Sequence, residues 1–176
     1  FTDERCVPRS HPDSNYAMAF DSLLRWVPAR VHAMDGERCD ARGYEKELAA
    51  VFGPRIPAFD LVLLGLGADG HTASLFPGDR AIDEARARVV AVQRPDHRRL
   101  TLTLPVLSAA RHAVFLAIGE AKASALRAML DNGDSPAARV AAKQITIVAD
   151  SQAAAHVPMH ERAALRGRPV EGAIND

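Results

Sequence analysis

An apolar run over residues 61–64 leads directly into a glycine-rich turn that contains Gly65, Gly67 and Gly70. Four apolar residues without polar alternation are typical of a strand that is covered on both faces, as in a parallel sheet. Glycines let the backbone turn tightly and let a ligand approach without a Cβ atom in the way. Because ligands of open parallel sheets bind beyond the carboxyl ends of the strands, the turn is predicted to line a binding site.

Two side chains in this turn, Asp69 and His71, carry the chemistry that we expect there. An imidazole takes up and returns a proton near neutral pH, so His71 is a candidate acid–base group. Two other interpretations stay open: a polar turn with an exposed histidine, and a zinc site for which no clear third and fourth ligand is present. A dinucleotide site is a poor fit, because no suitably placed acidic residue closes a following strand.

The chain has 176 residues and equal numbers, 22 each, of basic and acidic side chains. This length predicts one domain with a sizeable core. A net charge of zero argues against a general nucleic-acid binder or a membrane-surface protein.

The sequence contains neither a long apolar span nor a signal peptide, so we expect a soluble, cytoplasmic protein. Cys6 and Cys39 are accordingly predicted to be free thiols in a reducing compartment.

Strand and helix patterns alternate along the chain. Helical periodicity follows Ser14, a predicted N-cap whose helix should bury its aromatic residues, and recurs over residues 41–52. Strand patterns cover residues 89–92, 99–104, 113–118 and 145–149. This alternation predicts an α/β domain with a parallel sheet and helices on both faces. We assign residues 1–155 to this single domain and residues 156–176 to a loose C-terminal tail, because apolar periodicity fades there.

Four segments of the chain are more specific than the glycines alone. Residues 65–77, GLGADGHTASLFP, fit the pattern G-x-G-x-D-G-H-x-A-S-L-F-P at every fixed position. The other segments are DERCVP at residues 3–8, RLTLT at residues 99–103 and GEAK at residues 119–122. Together they resemble the 6-phosphogluconolactonase family, which carries these patterns in the same order. The resemblance implies a three-layer α/β sandwich with a mainly parallel, Rossmann-like sheet, of the glucosamine-6-phosphate deaminase type.

The resemblance also implies an activity, the hydrolysis of 6-phospho-D-glucono-1,5-lactone to 6-phospho-D-gluconate in the pentose phosphate pathway. It assigns catalysis to His71, Asp69 and Arg5. It assigns substrate binding to Arg99, Lys122, Asp3, Gly67 and Gly70. We expect a monomer that needs no cofactor and no metal, and that binds a phosphorylated sugar lactone but neither nucleic acid nor membrane.

The chain departs from related sequences in two places. The glucosamine-6-phosphate deaminases share the D-G-H pattern but carry a glutamate where this chain has Phe76, so the resemblance favours a lactonase over a deaminase or isomerase. Lactonase-family chains also begin well before the position of Phe1, with a strand and a Gly/Ser/Thr-rich loop that wraps the phosphate. A second possibility therefore stays open: a non-catalytic sugar-phosphate-binding fragment without that loop.

Overall fold

The structure, a computed structural model, describes residues 1–131 and 133–160 and contains six strands and four α-helices within them. The strands are β1 (Asp3–Arg5), β2 (Val62–Gly65), β3 (Val89–Val92), β4 (Arg99–Leu102), β5 (His112–Ala117) and β6 (Gln144–Ala149). The helices are α1 (Asn15–Ser22), α2 (Ala41–Phe52), α3 (Leu104–Ser108) and α4 (Ala123–Leu130). Short 3₁₀ turns lie at Leu24–Trp26, Arg80–Asp83 and Glu120–Lys122. None of the helices in these ranges combines the length and the apolar character of a membrane span.

Three strands form a parallel sheet in the order β2-β5-β6. Leu64 of β2 pairs with Phe115 of β5, which pairs in turn with Ile147 of β6. The connection from β5 to β6 contains α4, the kind of helical crossover that parallel neighbours require. The predicted α/β fold class is confirmed.

The other three strands form an antiparallel sheet in the order β1-β4-β3. The alternation of patterns predicts one parallel sheet and misses this second one. Only the six residues 93–98 join β3 to β4, whereas a crossover between parallel strands needs about a dozen or more. The short connection therefore forces antiparallel pairing. A consequence for the site is that Arg5 of β1 lies directly opposite Arg99 of β4.

One hydrophobic core joins the two sheets and the helices. Its most deeply buried large side chains include Leu64 and Phe115 from the parallel sheet, Leu100 and Leu102 from the antiparallel sheet, Leu107 from α3 and Leu126 from α4. Burial of a side chain of this size contributes roughly 1.5–3 kcal/mol relative to exposure. Because both sheets bury residues in the same core, their ends are held in a fixed relation to each other.

One face of the parallel sheet is exposed in the described part of the chain. Val62 and Leu64 are buried, whereas Leu61 and Leu63 alternate with them and point away from the core, Leu63 being 58% exposed. The prediction that this run is covered on both faces is therefore wrong for the described residues. Successive side chains of a strand point to opposite faces, and only one face here packs on the core.

Helix α1 begins where the sequence predicts, because the Ser14 hydroxyl accepts a hydrogen bond from the N–H of Ala17. The prediction that its aromatic residues enter the core is wrong: no residue of α1 is buried, and Phe20 is 39% exposed. The helix has only eight residues before the chain changes to a 3₁₀ turn, so the apolar stripe is not continuous. Tyr16 and Phe20 stack on each other instead, with ring centroids 5.9 Å apart.

Cys6 and Cys39 form a disulfide, so the prediction of two free thiols is wrong. Cys6 follows β1, and Cys39 lies in the turn before α2. The turn packs tightly on the strand, because a Cβ atom at Gly36 would lie 2.4 Å from the carbonyl oxygen of Arg5. This packing brings the two cysteine Cα atoms to 5.0 Å, a separation that suits a disulfide.

The chain remains packed beyond residue 155, since Val157 is buried in the hydrophobic core. The predicted tail begins at residue 156, and its residues 161–176 lie outside the described residues. The division into a domain of residues 1–155 and a tail therefore stays a proposal.

Candidate active site

A polar cleft of about 210 Å³ lies where the carboxyl ends of β2 and β5 approach β1 and β4. Six of the eight site residues predicted from the sequence line it: Asp3, Arg5, Gly67, His71, Arg99 and Lys122. Asp69 is bonded to His71 without lining the cleft itself. Gly70 does not line the cleft either. The fold thus gathers residues from four separate segments of the chain at one place.

A larger cleft of about 620 Å³ adjoins the polar one and shares Asp3 and Asn15 with it. Its walls include the exposed apolar residues Leu61 and Leu63 and the helix residue Met18. Among the described residues, no histidine, lysine or arginine lines it. The side chains suited to acid–base chemistry and anion binding lie in the smaller, polar cleft.

His71 is held by Asp69 in the turn after β2. The ring Nδ1 of His71 lies 2.6 Å from Oδ1 of Asp69, and the backbone N–H of His71 donates to the same oxygen. Burial by itself would raise the pKa of Asp69, but these hydrogen bonds outweigh it and hold the pKa below its usual value. Asp69 is thus a carboxylate that accepts a hydrogen bond from Nδ1–H of His71. The lone pair of His71 then lies on Nε2, where it can take a proton from a bound molecule.

The turn can hold this pair because two of its residues are glycine. A Cβ atom at Gly67 would lie 2.0 Å from Nδ1 of His71 and 2.6 Å from Oδ1 of Asp69. Gly70 has a φ of +84°, and a Cβ atom there would lie 2.6 Å from the Cβ of Ser135. Gly67 therefore makes room for the imidazole–carboxylate pair. Gly70 shapes the turn and lets it pack on the segment that follows α4.

Two arginines line the opposite side of the cleft. Arg5 and Arg99 are direct cross-strand partners, and like charges in that arrangement are destabilising. The Nε atoms of both side chains are buried and have no hydrogen-bond partner in the structure as described. Buried polar atoms without partners are rare in native proteins. An anion between the two guanidinium groups would supply the missing acceptors and relieve the repulsion.

Each guanidinium group is fixed from its outer side. Nη1 of Arg5 donates to Oδ1 of Asn15 at 2.7 Å and to the carbonyl oxygen of Asp13 at 3.0 Å. Arg99 donates to the carboxylate of Asp96. Asn15 is a site residue that sequence reasoning missed, although it directly follows Ser14, the N-cap of α1. Asn15 lines the cleft and orients one of its two arginines.

Asp3 is partly buried beside these cations. Its carboxylate accepts a hydrogen bond of 2.8 Å from the hydroxyl of Ser74, in the segment after the His71 turn. Burial raises the pKa of Asp3, although the Ser74 hydrogen bond and the charges of Arg5 and Arg99 oppose the rise. Asp3 also connects β1 to the segment that follows β2. Its predicted contact with substrate stays a prediction.

Lys122 reaches the cleft from the carboxyl end of β5. Gly119, with a φ of +91°, turns the chain there, and Lys122 directly precedes α4. A lysine beside the positive end of a helix is unfavourable unless an anion binds nearby. The position of Lys122 in the cleft agrees with the anion-binding role predicted for it.

Glu4 is a buried carboxylate of the DERCVP segment that is not among the eight predicted site residues. Its Oε1 accepts the backbone N–H groups of Arg5 at 2.8 Å and Asn15 at 2.7 Å. Its Oε2 accepts the backbone N–H of Tyr16 at 2.8 Å and the hydroxyl of Ser14 at 3.1 Å. These four donors tie the first turn of α1 to β1. Glu4 therefore fixes the positions of Arg5 and Asn15.

The substitution Glu4→Gln is expected to lower the free energy of unfolding by about 1.5–3 kcal/mol, because a hydrogen bond to a charged group contributes a free energy of that size. The new amide NH₂ would also face backbone N–H donors. Chemical denaturation measures the change. Glu37→Gln, at an exposed position, is the control and should change the free energy of unfolding by less than about 0.5 kcal/mol. An unchanged value for Glu4→Gln would contradict the anchoring role.

An imidazole that a carboxylate orients, set opposite two arginines and beside a lysine, can carry out acid–base chemistry on a small anion. The cleft lies beyond the carboxyl ends of parallel strands, where α/β proteins bind their ligands. The fold and the site therefore define an α/β protein with a small polar cleft that suits an anionic metabolite.

Comparison with known proteins identifies the family within this class. The sequence model of the family described as glucosamine-6-phosphate isomerases/6-phosphogluconolactonase matches residues 1–149. A 6-phosphogluconolactonase from Rattus norvegicus is 41% identical over 153 residues, which cover 80% of this chain and 59% of the relative. A 6-phosphogluconolactonase from a Synechocystis strain is 44% identical over 135 residues, 70% of this chain and 56% of the relative. The solved 6-phosphogluconolactonase from Trypanosoma cruzi superposes with a TM-score of 0.75 at 31% identity, over 89% of this chain and 72% of that one.

The chain belongs to the glucosamine-6-phosphate isomerase/6-phosphogluconolactonase family. It spans less than two thirds of the length of the curated relatives named above. The family resemblance and the fold expected from the sequence are confirmed. The catalytic and binding roles of individual residues stay predictions.

Proposed function

We propose that this chain hydrolyses 6-phospho-D-glucono-1,5-lactone to 6-phospho-D-gluconate, the activity for which its relatives are named. The observation that carries the proposal is the arrangement of the polar cleft. An oriented imidazole lies opposite two arginines whose buried Nε atoms lack acceptors. A lactone that bears a phosphate needs both parts, a base to activate water and cations to hold the anion.

The proposed chemistry begins with His71 as general base. Nε2 takes a proton from a water molecule while the water oxygen adds to the lactone carbonyl carbon. The bond between that carbon and the ring oxygen then breaks, and the imidazolium returns the proton to the ring oxygen, which leaves as a hydroxyl group. Asp69 keeps the second ring proton on Nδ1 throughout. A positioned group of this kind contributes roughly 10²- to 10⁴-fold in rate.

The phosphate and the developing oxyanion require the cationic residues. We assign the phosphate dianion to Arg99 and Lys122, and we place Arg5 near the phosphate or the lactone carbonyl. The planar guanidinium group suits paired hydrogen bonds to an oxyanion, and the ammonium group suits a single contact. Charge-assisted hydrogen bonds of this type contribute about 1.5–3 kcal/mol each.

Phe76 favours hydrolysis over deamination. The glucosamine-6-phosphate deaminases carry a carboxylate at this place, whereas here an aromatic ring packs on His71 with ring centroids 4.4 Å apart. Phe76 is buried and cannot exchange a proton. A deaminase mechanism that needs that carboxylate therefore lacks its acid–base partner.

The test is the hydrolysis of freshly generated 6-phosphogluconolactone, measured against its spontaneous rate, with unphosphorylated gluconolactone as the matched substrate. We expect acceleration of the phosphorylated lactone and little of the other, because only the first engages the arginines. Glucosamine 6-phosphate should release no ammonia. No acceleration by a folded chain that still binds 6-phosphogluconate would point to the sugar-phosphate-binding alternative and overturn the enzymatic proposal.

The remaining expectations belong to the same proposal. We propose a monomer in the cytoplasm that binds neither nucleic acid nor membrane, with the phosphorylated lactone as its partner. Two features of the structure bear on the location and on the oligomeric state. Disulfides such as Cys6–Cys39 are rare in cytosolic proteins, which argues against the cytoplasm. The exposed apolar face of the parallel sheet is available for a contact between chains, which argues against a monomer. Thiol labelling in rapidly quenched cells and sedimentation of the purified chain decide these two points.

A further inference from the structure

Two histidines and an aspartate meet outside the polar cleft. His11 and Asp13 lie in the loop between β1 and α1, and His97 lies in the loop between β3 and β4. One ligand atom from each residue lies within 4.8 Å of the others, and they are the one such three-residue group in the described ranges. Nε2 of His97 is 2.9 Å from Oδ2 of Asp13, and Nδ1 of His11 is 3.9 Å from the same oxygen.

We propose that His11, Asp13 and His97 form a binding site for a divalent transition metal ion, with zinc as the best match. Two imidazoles and one carboxylate are a common protein ligand set for zinc, and the fourth tetrahedral position would be taken by water. Ligand atoms about 2.0–2.1 Å from a tetrahedral zinc are roughly 3.3 Å apart. The 2.9 and 3.9 Å separations in the cluster lie on either side of that spacing, so small rotations of these partly exposed side chains would bring the three ligand atoms around an ion.

The surroundings of Asp13 favour a metal over an ordinary ion pair. Its carboxylate makes its side-chain contacts with the two imidazoles, and no arginine or lysine forms a salt bridge with it in the described structure. The nearby Arg5 donates to the backbone carbonyl of Asp13 instead. The carboxylate therefore keeps lone pairs for a cation, and a bound ion would displace the proton that Nε2 of His97 donates to Oδ2 of Asp13. At His11 the ion would replace a single contact, the 3.1 Å hydrogen bond from the backbone N–H of Asp13 to Nδ1.

The site would join two loops that hold the cleft arginines. The loop of His11 and Asp13 also supplies the carbonyl oxygen that accepts from Arg5. The loop of His97 contains Asp96, which accepts from Arg99. A metal ion would therefore hold the two loops together without touching the cleft, since none of its three ligands lines it. The ion would therefore stabilise the two loops and would take no part in the proposed hydrolysis.

Zinc chloride titrated calorimetrically into the untagged chain tests the site. We expect one zinc ion per chain, and we expect Co²⁺ in its place to show the visible absorption of a tetrahedral site. Loss of a residue that only supports a metal ligand weakens metal binding by about 10- to 100-fold. His97→Ala removes a ligand itself, so it should weaken zinc binding by at least this factor. His32→Ala is the matched control, because His32 pairs with Glu47 at 2.6 Å but has no second imidazole. It should leave the affinity unchanged.

A second readout separates binding from damage to the fold. Zinc should raise the Tm of the unsubstituted chain and of His32→Ala, because a ligand that binds only the folded state stabilises it. It should leave the Tm of His97→Ala unchanged. The conservative variant His97→Gln should behave like His97→Ala if the imidazole is the ligand. Zinc affinity that is equal in the unsubstituted chain and in His97→Ala, or no binding to either, would overturn the proposal.

Discussion

Replacement of His71 by alanine is expected to lower kcat for lactone hydrolysis by about 10²- to 10⁴-fold, the usual contribution of a positioned acid–base group. The reason is geometric. In the proposed mechanism Nε2 of His71 takes the proton, because Nδ1 lies 2.6 Å from the carboxylate of Asp69. Alanine removes the base but leaves the cationic side of the cleft intact. KM should therefore change much less than kcat.

The substitution Asp69→Asn distinguishes the contribution of the His71 base from that of the carboxylate that orients it. The amide oxygen can still accept a hydrogen bond from Nδ1–H, but it carries no negative charge to stabilise the imidazolium. The base itself remains, so kcat should fall by less than in His71→Ala. His112→Ala serves as the control, since His112 lies on β5 and bonds to Thr146 of the neighbouring strand. Circular dichroism establishes that each variant is folded. A kcat for folded His71→Ala equal to that of the unsubstituted chain would rule out His71 as the base.

Replacement of Arg99 by alanine is expected to lower kcat/KM by about 10- to 100-fold, because each charge-assisted hydrogen bond contributes about 1.5–3 kcal/mol. The side chain is largely buried, and its Nε has no hydrogen-bond partner among the described residues. The loss should appear mainly in KM, since the phosphate is held equally before and during the reaction. Calorimetric titration with 6-phosphogluconate measures the same loss without turnover.

The neighbouring Arg98 is a matched control for this substitution. It has the same charge, and its side chain is exposed instead of lining the cleft. Arg98→Ala should keep its affinity for 6-phosphogluconate, which distinguishes a specific contact from the loss of one positive charge. Arg99→Lys should fall between the two, because lysine keeps the charge but not the paired geometry. Equal affinities for Arg98→Ala and Arg99→Ala would contradict the assignment.

The imidazole side of the site could be predicted because its parts are contiguous in sequence. Gly67, Asp69 and His71 lie within one turn, so the sequence places the carboxylate and the imidazole together. The space that Gly67 leaves for this pair is seen only in the structure. The placement of Arg5 opposite Arg99 could not be predicted in the same way. It depends on the register of an antiparallel sheet that the alternation of strands and helices does not reveal.

The other differences have the same kind of cause. The disulfide depends on the turn around Gly36 packing on the loop after β1, a contact between loops that sequence patterns do not specify. The structural role of Glu4 depends on four donors that converge only when α1 is folded against β1. Local periodicity predicts where elements form, but it does not predict which loops meet.

The cleft takes its two halves from separately hydrogen-bonded sheets. The arginines belong to the antiparallel sheet, whereas His71 and Lys122 follow strands of the parallel sheet. Under the proposed function, the anion is therefore bound chiefly by one sheet and the proton is transferred from the other. Substitutions along β1 and β4 would then change which charged group is bound, while the turn after β2 keeps its chemistry. We expect proteins of this fold that act on different phosphorylated sugars to differ mainly in the antiparallel sheet.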